Sequence, residues 1–405
     1  MSLAILINPS ERELLENAGD RPPLGLLYLG KWLKKNGQDV KVFDMNHDSY
    51  WDISKSVIND NPKLVGISCY TSPMLNESMN LSKWLRSITR LKIVMGGYHA
   101  SVMPKSLIDC ANHVTVGEGE YALQYLMDGN ADGFIVKGWE TNLDSLGSPD
   151  RDLLDMSKYN MQINGLRTAT LMTSRGCPMN CSFCGNMNKT TRFHDIHDII
   201  KEIQELKRKK YEAIYLVDDV FTLRKERAKL ISEVLKSEGM KFRATTRANF
   251  INEDIVETFA KNGCITLSMG IESGNEEILK KCNKKQTLEQ ITNAIKICGK
   301  YKVPVKGFFI IGLPGETEQT AKETINYANR LKSLGLTTAD FYPLIPYPGT
   351  DIWDNPERNG IKINDYDYSH YLQATKNEIY VPCETDNLNA EAIKLLIKEA
   401  KESWK

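Results

Sequence analysis

At residues 174–184 the sequence reads Ser174-Arg175-Gly176-Cys177-Pro178-Met179-Asn180-Cys181-Ser182-Phe183-Cys184, with the cysteines in the spacing C-x3-C-x2-C. Iron–sulfur clusters are normally held by cysteine thiolates. Three thiolates can hold three irons of a [4Fe–4S] cluster and leave the fourth iron open for a small ligand. The sequence therefore predicts Cys177, Cys181 and Cys184 as metal ligands.

Two other uses of these cysteines are a zinc site and a disulfide. Zinc usually takes four ligands, and the nearest downstream candidate for the fourth is His194. Disulfides are disfavoured because the chain shows no secretory context. The remaining cysteines form no metal-ligand spacing and are interpreted as small core or surface residues; they are Cys69, Cys110, Cys264, Cys282, Cys298 and Cys383.

Length and composition are those of a soluble globular protein with two or three domains. The chain has 405 residues, 41% of them hydrophobic and 26% charged, and a formal net charge of zero. This balance does not favour a general nucleic-acid-binding surface. No apolar run approaches the roughly 20 residues of a membrane span. The first residues lack a basic leader, so a cytoplasmic location is expected, where free thiols persist.

The N-terminal part alternates short apolar strands with amphipathic helices, a pattern that predicts a parallel sheet covered on both faces. In such sheets, ligands bind beyond the carboxyl ends of the strands. This first domain, doubly wound and Rossmann-like, is expected over residues 1–137, and a linker rich in Gly, Asp, Asn and Ser over 138–166. The expected strands are Leu3–Ile7, Val40–Phe43, Leu64–Ser68, Ile93–Met95, Val114–Val116 and Phe134–Val136.

A second alternation over residues 167–350 predicts a partial (β/α)6 barrel of the TIM type, followed by a C-terminal extension over 351–405. Barrel active sites gather at the carboxyl ends of the strands, and the cysteine loop directly follows the first one. The extension carries an aromatic cluster, Tyr366, Tyr368 and Tyr371, that is interpreted as packing. The expected strands are Ala169–Thr173, Ala213–Val217, Phe242–Thr246, Thr266–Ile271, Val305–Ile311 and Ala339–Leu344.

The cysteine triad resembles that of radical S-adenosylmethionine (SAM) enzymes, which usually have an aromatic residue before the third cysteine, as Phe183 is here. The resemblance implies that the open iron chelates the amino and carboxylate groups of SAM. Reductive cleavage of SAM then yields a 5′-deoxyadenosyl radical. The electron is expected from a reductant such as ferredoxin or flavodoxin.

The same resemblance assigns SAM contacts to the strand ends. Asp218 and Asp219 are expected to accept hydrogen bonds from the SAM amino group, with a helix N-cap as the alternative role. Arg247 is expected to pair with the SAM carboxylate, because guanidinium matches carboxylates, with a surface ion pair as the alternative. The common Gly-Gly-Glu form of this region is absent.

Two further motifs complete the expected SAM site. Glu272, in the run Gly-Ile-Glu-Ser-Gly, resembles the residue that binds the ribose hydroxyls. Gly312 opens the run Gly-Leu-Pro-Gly-Glu and is assigned to the neighbourhood of the adenine, where glycine permits close approach of the backbone. A plain tight turn is the alternative for Gly312.

The N-terminal half resembles the cobalamin-binding domain of cobalamin-dependent radical SAM enzymes. Four runs carry the resemblance, each at a strand end or a helix start: Pro22–Leu29, Val65–Thr71, Gly96–Ser101 and Gly117–Glu120. The alternatives are a degenerate Rossmann-like domain without a cofactor and, with less support, a nucleotide site, since no G-x-G-x-x-G follows a strand. The expected cobalamin contacts are Pro23, Leu24, Ser68, Tyr70, Thr71, Gly96, Gly97, Tyr98, His99, Gly117, Glu118 and Gly119.

One departure from that family concerns the cobalt ligand. Many cobalamin domains place Asp-x-His-x-x-Gly after the first strand, whereas this chain reads Asn8-Pro9-Ser10-Glu11. Cobalamin is therefore expected to bind without a protein histidine on cobalt, and His99 is expected to contact the nucleotide tail.

Together the two resemblances imply a cobalamin-dependent radical SAM methyltransferase that acts on an unactivated carbon. The alternatives are a non-methylating relative that performs cyclisation, ring rearrangement or oxygenation, and a cobalamin sensor or carrier with a vestigial cluster. A peptide or protein side chain or a natural product is the expected substrate. Tyr342 and Tyr347, at the end of the sixth strand, are candidates for substrate contact or radical chemistry, with packing as the alternative.

Overall fold

The structure, a computed structural model, describes residues 2–10, 19–130, 133–371 and 379–404. Contacts divide the chain into two compact units. The N-terminal unit comprises Met1–Met161 and a returning segment that begins at Asp367, and the barrel unit comprises Gln162–Tyr366 and Asn377–Lys405. Most of the expected linker thus groups with the first unit.

The N-terminal unit contains a six-stranded parallel sheet in the order β2-β1-β3-β4-β5-β6. The predicted parallel α/β fold is therefore confirmed. The strands are β1 (Leu3–Asn8), β2 (Asp39–Asp44), β3 (Leu64–Ser68), β4 (Lys92–Gly96), β5 (His113–Val116) and β6 (Ile135–Lys137). The helices are α1 (Leu24–Lys35), α2 (Tyr50–Asp60), α3 (Met74–Ile88), α4 (Tyr98–Val102) and α5 (Gly119–Met127).

The strand order reverses between β1 and β3, because the chain leaves β1 toward β2 on one side and continues from β3 on the other. At such a switch point the two connections diverge and leave a crevice beyond the carboxyl ends of the strands. Apolar side chains of the strands, such as Ile5, Ile7 and Val65, are buried beneath the helices. The crevice is the position that the fold offers for a ligand.

The barrel unit is built on a seven-stranded sheet in the order β15-β14-β13-β12-β11-β8-β7, in which only β7 is antiparallel to its neighbour. β8 and β15 lie at opposite ends of the parallel run, so the barrel is open, as predicted. The strands are β7 (Gln162–Ile163), β8 (Leu166–Leu171), β9 (Ser174–Arg175), β10 (Arg192–Phe193), β11 (Ala213–Leu216), β12 (Lys241–Thr246), β13 (Cys264–Glu272), β14 (Val305–Ile311), β15 (Leu336–Pro343), β16 (Ile361–Ile363) and β17 (Cys383–Thr385).

The helices of this unit cover one face of the sheet and form its largest core. Several begin at side-chain caps: Asp195 caps α6, and Thr287 with Gln290 forms a capping box at α10. The helices are α6 (Ile196–Arg208), α7 (Lys225–Ser237), α8 (Glu253–Lys261), α9 (Glu276–Lys281), α10 (Leu288–Lys300), α11 (Glu318–Lys332), α12 (Asp351–Asp354) and α13 (Ala390–Trp404). Among the described residues, none of the helices combines the length and apolar character needed to cross a membrane.

Candidate functional site

The cysteine loop lies between β8 and α6, and the short antiparallel pair β9–β10 joins its two ends. The Cys177 N–H donates to Asn188 O at 2.9 Å, which closes the loop on itself. Gly176 has φ +93°, and a Cβ atom there would lie 2.4 Å from Thr190 O. Glycine is therefore required immediately before the first cysteine, so that the backbone can fold this tightly.

The three thiols lie at different depths: Cys181 is buried, Cys177 is half-buried and Cys184 is exposed. Within the described ranges, no three His, Cys, Asp or Glu side chains form a site for a single metal ion. A [4Fe–4S] cluster has no such requirement, since each cysteine holds a different iron. His194, the candidate fourth zinc ligand, is buried, and among the described residues it forms no metal-ligating group with the cysteines. The zinc alternative therefore has no support from the geometry.

Asp218 and Asp219 follow β11 and have different environments. Asp218 is buried and accepts hydrogen bonds from Thr173 N at 2.7 Å, Thr173 Oγ1 at 2.5 Å and Ser174 Oγ at 2.6 Å. Burial raises its pKa, although these hydrogen bonds act in the opposite direction. Asp218 thus fixes the start of the cysteine loop. Asp219 is exposed and accepts from Asn186 Nδ2 at 2.8 Å, which leaves lone pairs for a ligand.

Arg247, directly after β12, lies beside the cysteines. Its guanidinium is buried, and Nη1 donates to Cys181 Sγ at 3.5 Å. Nη2 donates to the backbone carbonyl of Lys284, and Nε to Asn249 Oδ1 at 3.3 Å. The surface ion pair considered for Arg247 is not what the structure contains. The structure instead places the Arg247 guanidinium beside the thiol of Cys181.

Glu272 forms a buried ion pair that sequence reasoning missed. Lys284 Nζ lies 2.6 Å from Glu272 Oε1, and the two side chains are only 5% and 9% exposed. Glu272 has φ +69°, at an irregularity in the register of β13 and β14. Such a left-handed conformation costs free energy for a residue other than glycine and is concentrated at functional sites.

Gly270 and Lys284 complete this arrangement. A Cβ atom on Gly270 would lie 2.4 Å from Glu272 Oε1 and 2.9 Å from Lys284 Nζ. Lys284 Nζ is also 5.9 Å from the centroid of the Phe183 ring. Lys284 lies in the turn between α9 and α10, away from any strand end, so no local pattern marked it. Only the folded chain brings it to the cysteine loop.

Gly312 follows β14 with φ +94°, and its N–H donates to Glu316 Oε2 at 2.5 Å. Glu316 is fully buried, and burial raises its pKa to about 8. Its other oxygen, Oε1, has no hydrogen-bond partner among the described residues. The motif is therefore a turn stabilised by the carboxyl group of its own glutamate.

Tyr342 and Tyr347 occupy different settings in the barrel unit. Tyr342 lies on β15 and donates to Asp340 Oδ2 at 2.8 Å, and burial together with this contact raises its pKa. Tyr347 is half-buried in a turn, where its backbone carbonyl accepts from Thr350 N at 3.2 Å. The first side chain belongs to the inner face of the sheet, and the second to the loop beyond it.

In the N-terminal unit, His99 joins the loops that follow β3 and β4. The Thr71 hydroxyl lies 2.9 Å from His99 Nδ1, and the Ser106 hydroxyl 2.9 Å from Nε2. Burial lowers the pKa of His99 to about 4, so the ring is neutral near pH 7. Both nitrogens are engaged within the protein, so the ring has a positioning role in this structure.

After β4 and β5, the backbone at glycine residues lies directly against neighbouring loops. Gly97 has φ +114°, and a Cβ atom there would lie 2.8 Å from Cys69 O. The Gly117 N–H donates to Ser101 Oγ at 3.0 Å, while Glu118 Oε2 accepts from Thr141 N at 2.7 Å. The backbone is thus closely packed at both motifs.

The other expected cobalamin contacts lie near the carboxyl edge of the same sheet or at helix starts. Pro23 occupies the N-cap position of α1, and Leu24 is its first residue. Ser68 ends β3, Gly96 ends β4, Tyr98 begins α4 and Gly119 begins α5. Tyr70 is 47% exposed and Thr71 is buried. These positions agree with the crevice that the strand order creates.

A segment from the C-terminal extension packs on the same loops. The Tyr368 ring lies 5.2 Å from the His99 ring, centroid to centroid, and 5.5 Å from Tyr371. Tyr371 is fully buried, whereas Tyr366 is 62% exposed and contacts Trp353. Two members of the aromatic cluster therefore belong to the N-terminal unit.

Comparison with known proteins accounts for both units. The radical SAM superfamily matches residues 171–328, and the B12-binding domain matches residues 14–127. A protein of Pyrococcus horikoshii described as an uncharacterized methyltransferase is 33% identical over 396 residues, covering 89% of this chain and 84% of its own length. The chain belongs to the cobalamin-dependent radical SAM family.

Two further members illustrate the range of the family. The anaerobic magnesium-protoporphyrin IX monomethyl ester cyclase of Rubrivivax gelatinosus is 25% identical, with 88% of this chain and 69% of the cyclase covered. The radical SAM methyltransferase TsrM of Kitasatospora setae, solved with cobalamin and a [4Fe–4S] cluster, superposes with a TM-score of 0.81 at 17% identity. That superposition covers 99% of this chain and 91% of TsrM, and it establishes the shared fold.

Enzymes of this family use a [4Fe–4S] cluster, SAM and cobalamin. The residues of this chain fit the first two, because three cysteines lie on one loop beside a buried guanidinium and a buried lysine–glutamate pair. They also fit cobalamin, because the B12-binding family model covers the loops of the crevice, where the backbone at Gly97 and Gly117 lies directly against neighbouring backbone.

Proposed function

We propose that this protein is a cobalamin-dependent radical SAM methyltransferase that methylates an unactivated carbon. The observation that carries the proposal is the presence in one chain of the C-x3-C-x2-C loop and a B12-binding unit. The similarity to the Pyrococcus protein described as a methyltransferase supports methyl transfer. The proposed substrate is a peptide or protein side chain or a natural product.

When bound, the cluster and SAM together supply a 5′-deoxyadenosyl radical that abstracts hydrogen, and methylcobalamin supplies the methyl group. The protein contributes binding, orientation and exclusion of water. Cys177, Cys181 and Cys184 would hold three of the irons. Arg247, whose Nη1 lies 3.5 Å from Cys181 Sγ, offsets part of the negative charge of the thiolates.

The charged groups at the strand ends provide complementary contacts for SAM. Asp219 is exposed and is suited to accept from the SAM amino group, and Arg247 is suited to attract the carboxylate. Glu272, held by Lys284, is suited to accept from the ribose hydroxyls. The backbone at Gly312 is suited to lie against the adenine. Asp218 contributes indirectly, by fixing the loop that carries the cysteines.

For cobalamin, the proposal includes a cobalt without a protein histidine ligand. His99 supports this, because both of its ring nitrogens already meet hydroxyl groups. The proposal also includes a ferredoxin or flavodoxin as electron donor and a cytoplasmic location. All nine cysteines are free thiols in the structure, which agrees with a reducing compartment.

The proposal is tested by anaerobic reconstitution with iron, sulfide and cobalamin, followed by incubation with dithionite and methyl-labelled SAM. Bound iron, bound cobalamin and 5′-deoxyadenosine are expected in the wild-type protein, and S-adenosylhomocysteine is expected when a substrate is present. Cys177→Ala is expected to lose deoxyadenosine formation, whereas Cys110→Ala, at a buried cysteine of the other unit, is expected to retain it. Failure of the wild-type protein to retain cobalamin would contradict the proposal.

A second candidate is a non-methylating reaction, such as ring formation. The similarity to the magnesium-protoporphyrin cyclase favours it. The two candidates differ in their products: deoxyadenosine without S-adenosylhomocysteine, in the presence of substrate, indicates the non-methylating reaction. Retained cobalamin without any deoxyadenosine would indicate a sensor or carrier instead.

A further inference from the structure

The inner face of the barrel sheet carries a group of charged and aromatic residues below the proposed SAM site. Side chains alternate between the two faces of a strand. Residues of five successive strands, β11 to β15, belong to the core beneath the helices, so the residues next to them in sequence face the opposite, concave side; these core residues are Leu216, Phe242, Ala244, Leu267, Val305, Phe309 and Phe341. We call seven of these neighbours the lumen group; they are Tyr215, Arg243, Ser268, Lys306, Phe308, Asp340 and Tyr342.

Two charged members of the lumen group, Lys306 and Asp340, form an ion pair with each other. Lys306 Nζ lies 2.6 Å from Asp340 Oδ2, and the side chains remain 28% and 26% exposed. The same carboxylate oxygen accepts from the Tyr342 hydroxyl at 2.8 Å. Lys306 is therefore paired, and Asp340 has its counterion.

Arg243 has no such counterion. Nε and Nη2 reach a single hydroxyl, Ser268 Oγ, at 3.3 and 3.1 Å. The guanidinium lies over the Tyr215 ring, 4.7 Å from its centroid. Among the described residues, no carboxylate forms an ion pair with Arg243. Two cations and one carboxylate leave the group with one uncompensated positive charge.

A half-buried guanidinium with unused donors in a fixed plane is suited to bind an anion through two parallel hydrogen bonds. Carboxylate and phosphate or phosphonate oxygens share this geometry. The rings of Tyr215, Phe308 and Tyr342 offer apolar surface beside it. The inner face thus combines one anion-binding group with aromatic surface, as small-molecule sites commonly do.

The position of Arg243 on β12 indicates how far it lies from the proposed SAM site. Arg243 precedes Arg247 by four residues on the same strand segment, as Ser268 precedes Glu272. At about 3.3 Å per residue, the Cα atom of Arg243 lies on the order of 13 Å below that of Arg247, which is proposed to bind SAM. An anionic group at Arg243 would therefore lie well away from the reacting carbon.

We propose that Arg243 binds a carboxylate, phosphate or phosphonate group of the substrate inside the barrel, with the substrate's reacting carbon extended toward the cysteine loop. This rests on the proposed function, because it assigns the substrate of that same site. It narrows the substrate class to molecules whose anionic group is separated from the methylated carbon by a spacer.

The test uses the full-length protein reconstituted with its cluster and cobalamin, in the absence of SAM. Binding of propionate, ethylphosphonate and uncharged 1-propanol is measured by calorimetric titration. At least one of the two anions is expected to bind and 1-propanol is not. Arg243→Gln is expected to weaken anion binding about tenfold or more, with a smaller loss for Arg243→Lys, as expected for loss of a charge-assisted hydrogen bond.

The matched control is Arg330→Gln. Arg330 also lies over a tyrosine ring, 5.0 Å from the centroid of Tyr327, but on α11. Its replacement is expected to leave anion binding unchanged. Propionate binding alone would indicate a carboxylate substrate, and ethylphosphonate binding alone a phosphate or phosphonate. Absence of binding by both anions, or equal binding by Arg243→Gln, would overturn the inference.

A second measurement covers the case in which Arg243→Gln does not fold. Modification of the wild-type protein by phenylglyoxal, followed by peptide mass spectrometry, reports the reactivity of Arg243 directly. The binding anion is expected to slow modification of Arg243 several-fold and to leave Arg330 unaffected; unchanged labelling of Arg243 would contradict the inference. Iron content, cobalamin content and deoxyadenosine formation in the same preparation report separately on the proposed function.

Discussion

The two units position their candidate sites by different physical means. The N-terminal unit uses backbone: glycines with positive φ, such as Gly97 and Gly117, let adjacent loops approach each other closely. The barrel unit uses ionised side chains: Arg247 beside Cys181, and Lys284 paired with Glu272. The difference suits the two tasks, since a bulky corrin is recognised by shape, whereas SAM carries charged groups that need charged partners.

The strongest test of this contrast is the buried ion pair. Lys284→Met leaves the Glu272 carboxylate buried without a partner, and such a change costs about 3–5 kcal/mol. We expect the free energy of unfolding in urea to fall by this amount, and the affinity for SAM to fall as well. The double variant Lys284→Met/Glu272→Gln is expected to recover most of the stability but not the SAM affinity.

The matched control for Lys284 lies four residues earlier in the chain. Lys280 pairs with Glu277 at 2.7 Å, but both side chains are about 70% exposed, at 68% and 71%. Exposed pairs of this kind contribute little, so Lys280→Met should leave the unfolding curve unchanged. Equal effects at the two lysines would show that the barrel site does not depend on its buried charges.

The N-terminal unit contains a buried titratable group of its own, His99, which is kept neutral. Its pKa is about 4 in the folded protein and near 6.5 when unfolded. Below pH 6.5, His99 binds a proton in the unfolded chain but stays neutral in the folded chain. The contribution of neutral His99 to the stability of the fold is therefore complete above pH 6.5 and declines toward pH 4.

Between pH 7 and pH 4 we therefore expect the wild-type protein to lose about 3 kcal/mol more stability than His99→Asn. Carboxylates titrate in the same range in both proteins, so the difference between the two curves is the quantity to measure. Parallel curves would mean that His99 is accessible to protons in the folded state.

The role of glycine backbone in the N-terminal unit is tested at Gly97. Its φ of +114° and ψ of −165° lie in a region that is nearly exclusive to glycine, and a Cβ atom would lie 2.8 Å from Cys69 O. Gly97→Ala is expected to cost about 2 kcal/mol and to reduce the cobalamin content after reconstitution, while the iron content is retained.

Gly37→Ala is the control for that substitution. Gly37 has φ +79° in the turn between α1 and β2, away from the carboxyl edge of the sheet, and a Cβ atom there would meet no atom within 4 Å. Replacement there should cost backbone strain of the same kind and leave cobalamin binding intact. Loss of cobalamin in both variants would indicate a general defect of the unit and not a role of the Gly97 backbone.

The sequence anticipated the features that depend on local pattern. Alternating apolar strands predicted both sheets, and the spacing of Cys177, Cys181 and Cys184 predicted the position of the loop after the first barrel strand. It could not anticipate the pairing of Lys284 with Glu272, because eleven intervening residues, which include α9, separate them. For the same reason, the engagement of both His99 nitrogens became visible only when the loops after β3 and β4 were brought together.

The returning segment at 367–371 is another feature that only the folded chain reveals. Its removal from the loops of the N-terminal unit is expected to have the smallest effect of those predicted here. Tyr368 lies 5.2 Å from the His99 ring, and His99 in turn holds Thr71 and Ser106. An aromatic contact of this kind contributes about 1 kcal/mol. Loss of the ring in Tyr368→Ala is therefore expected to loosen the loops and raise the dissociation constant for cobalamin several-fold. Tyr368→Phe, which keeps the ring, should bind cobalamin with the affinity of the wild-type protein.

Tyr366→Ala is the matched control for this last prediction, since Tyr366 is exposed and contacts Trp353 in the barrel unit. Its cobalamin affinity should equal that of the wild-type protein. If Tyr368→Ala also binds cobalamin like the wild type, backbone packing alone holds the loops, and the shape of the crevice is set entirely within residues 1–161. If affinity falls only in Tyr368→Ala, the C-terminal extension contributes to that shape, and the N-terminal unit expressed alone should bind cobalamin more weakly than the full chain.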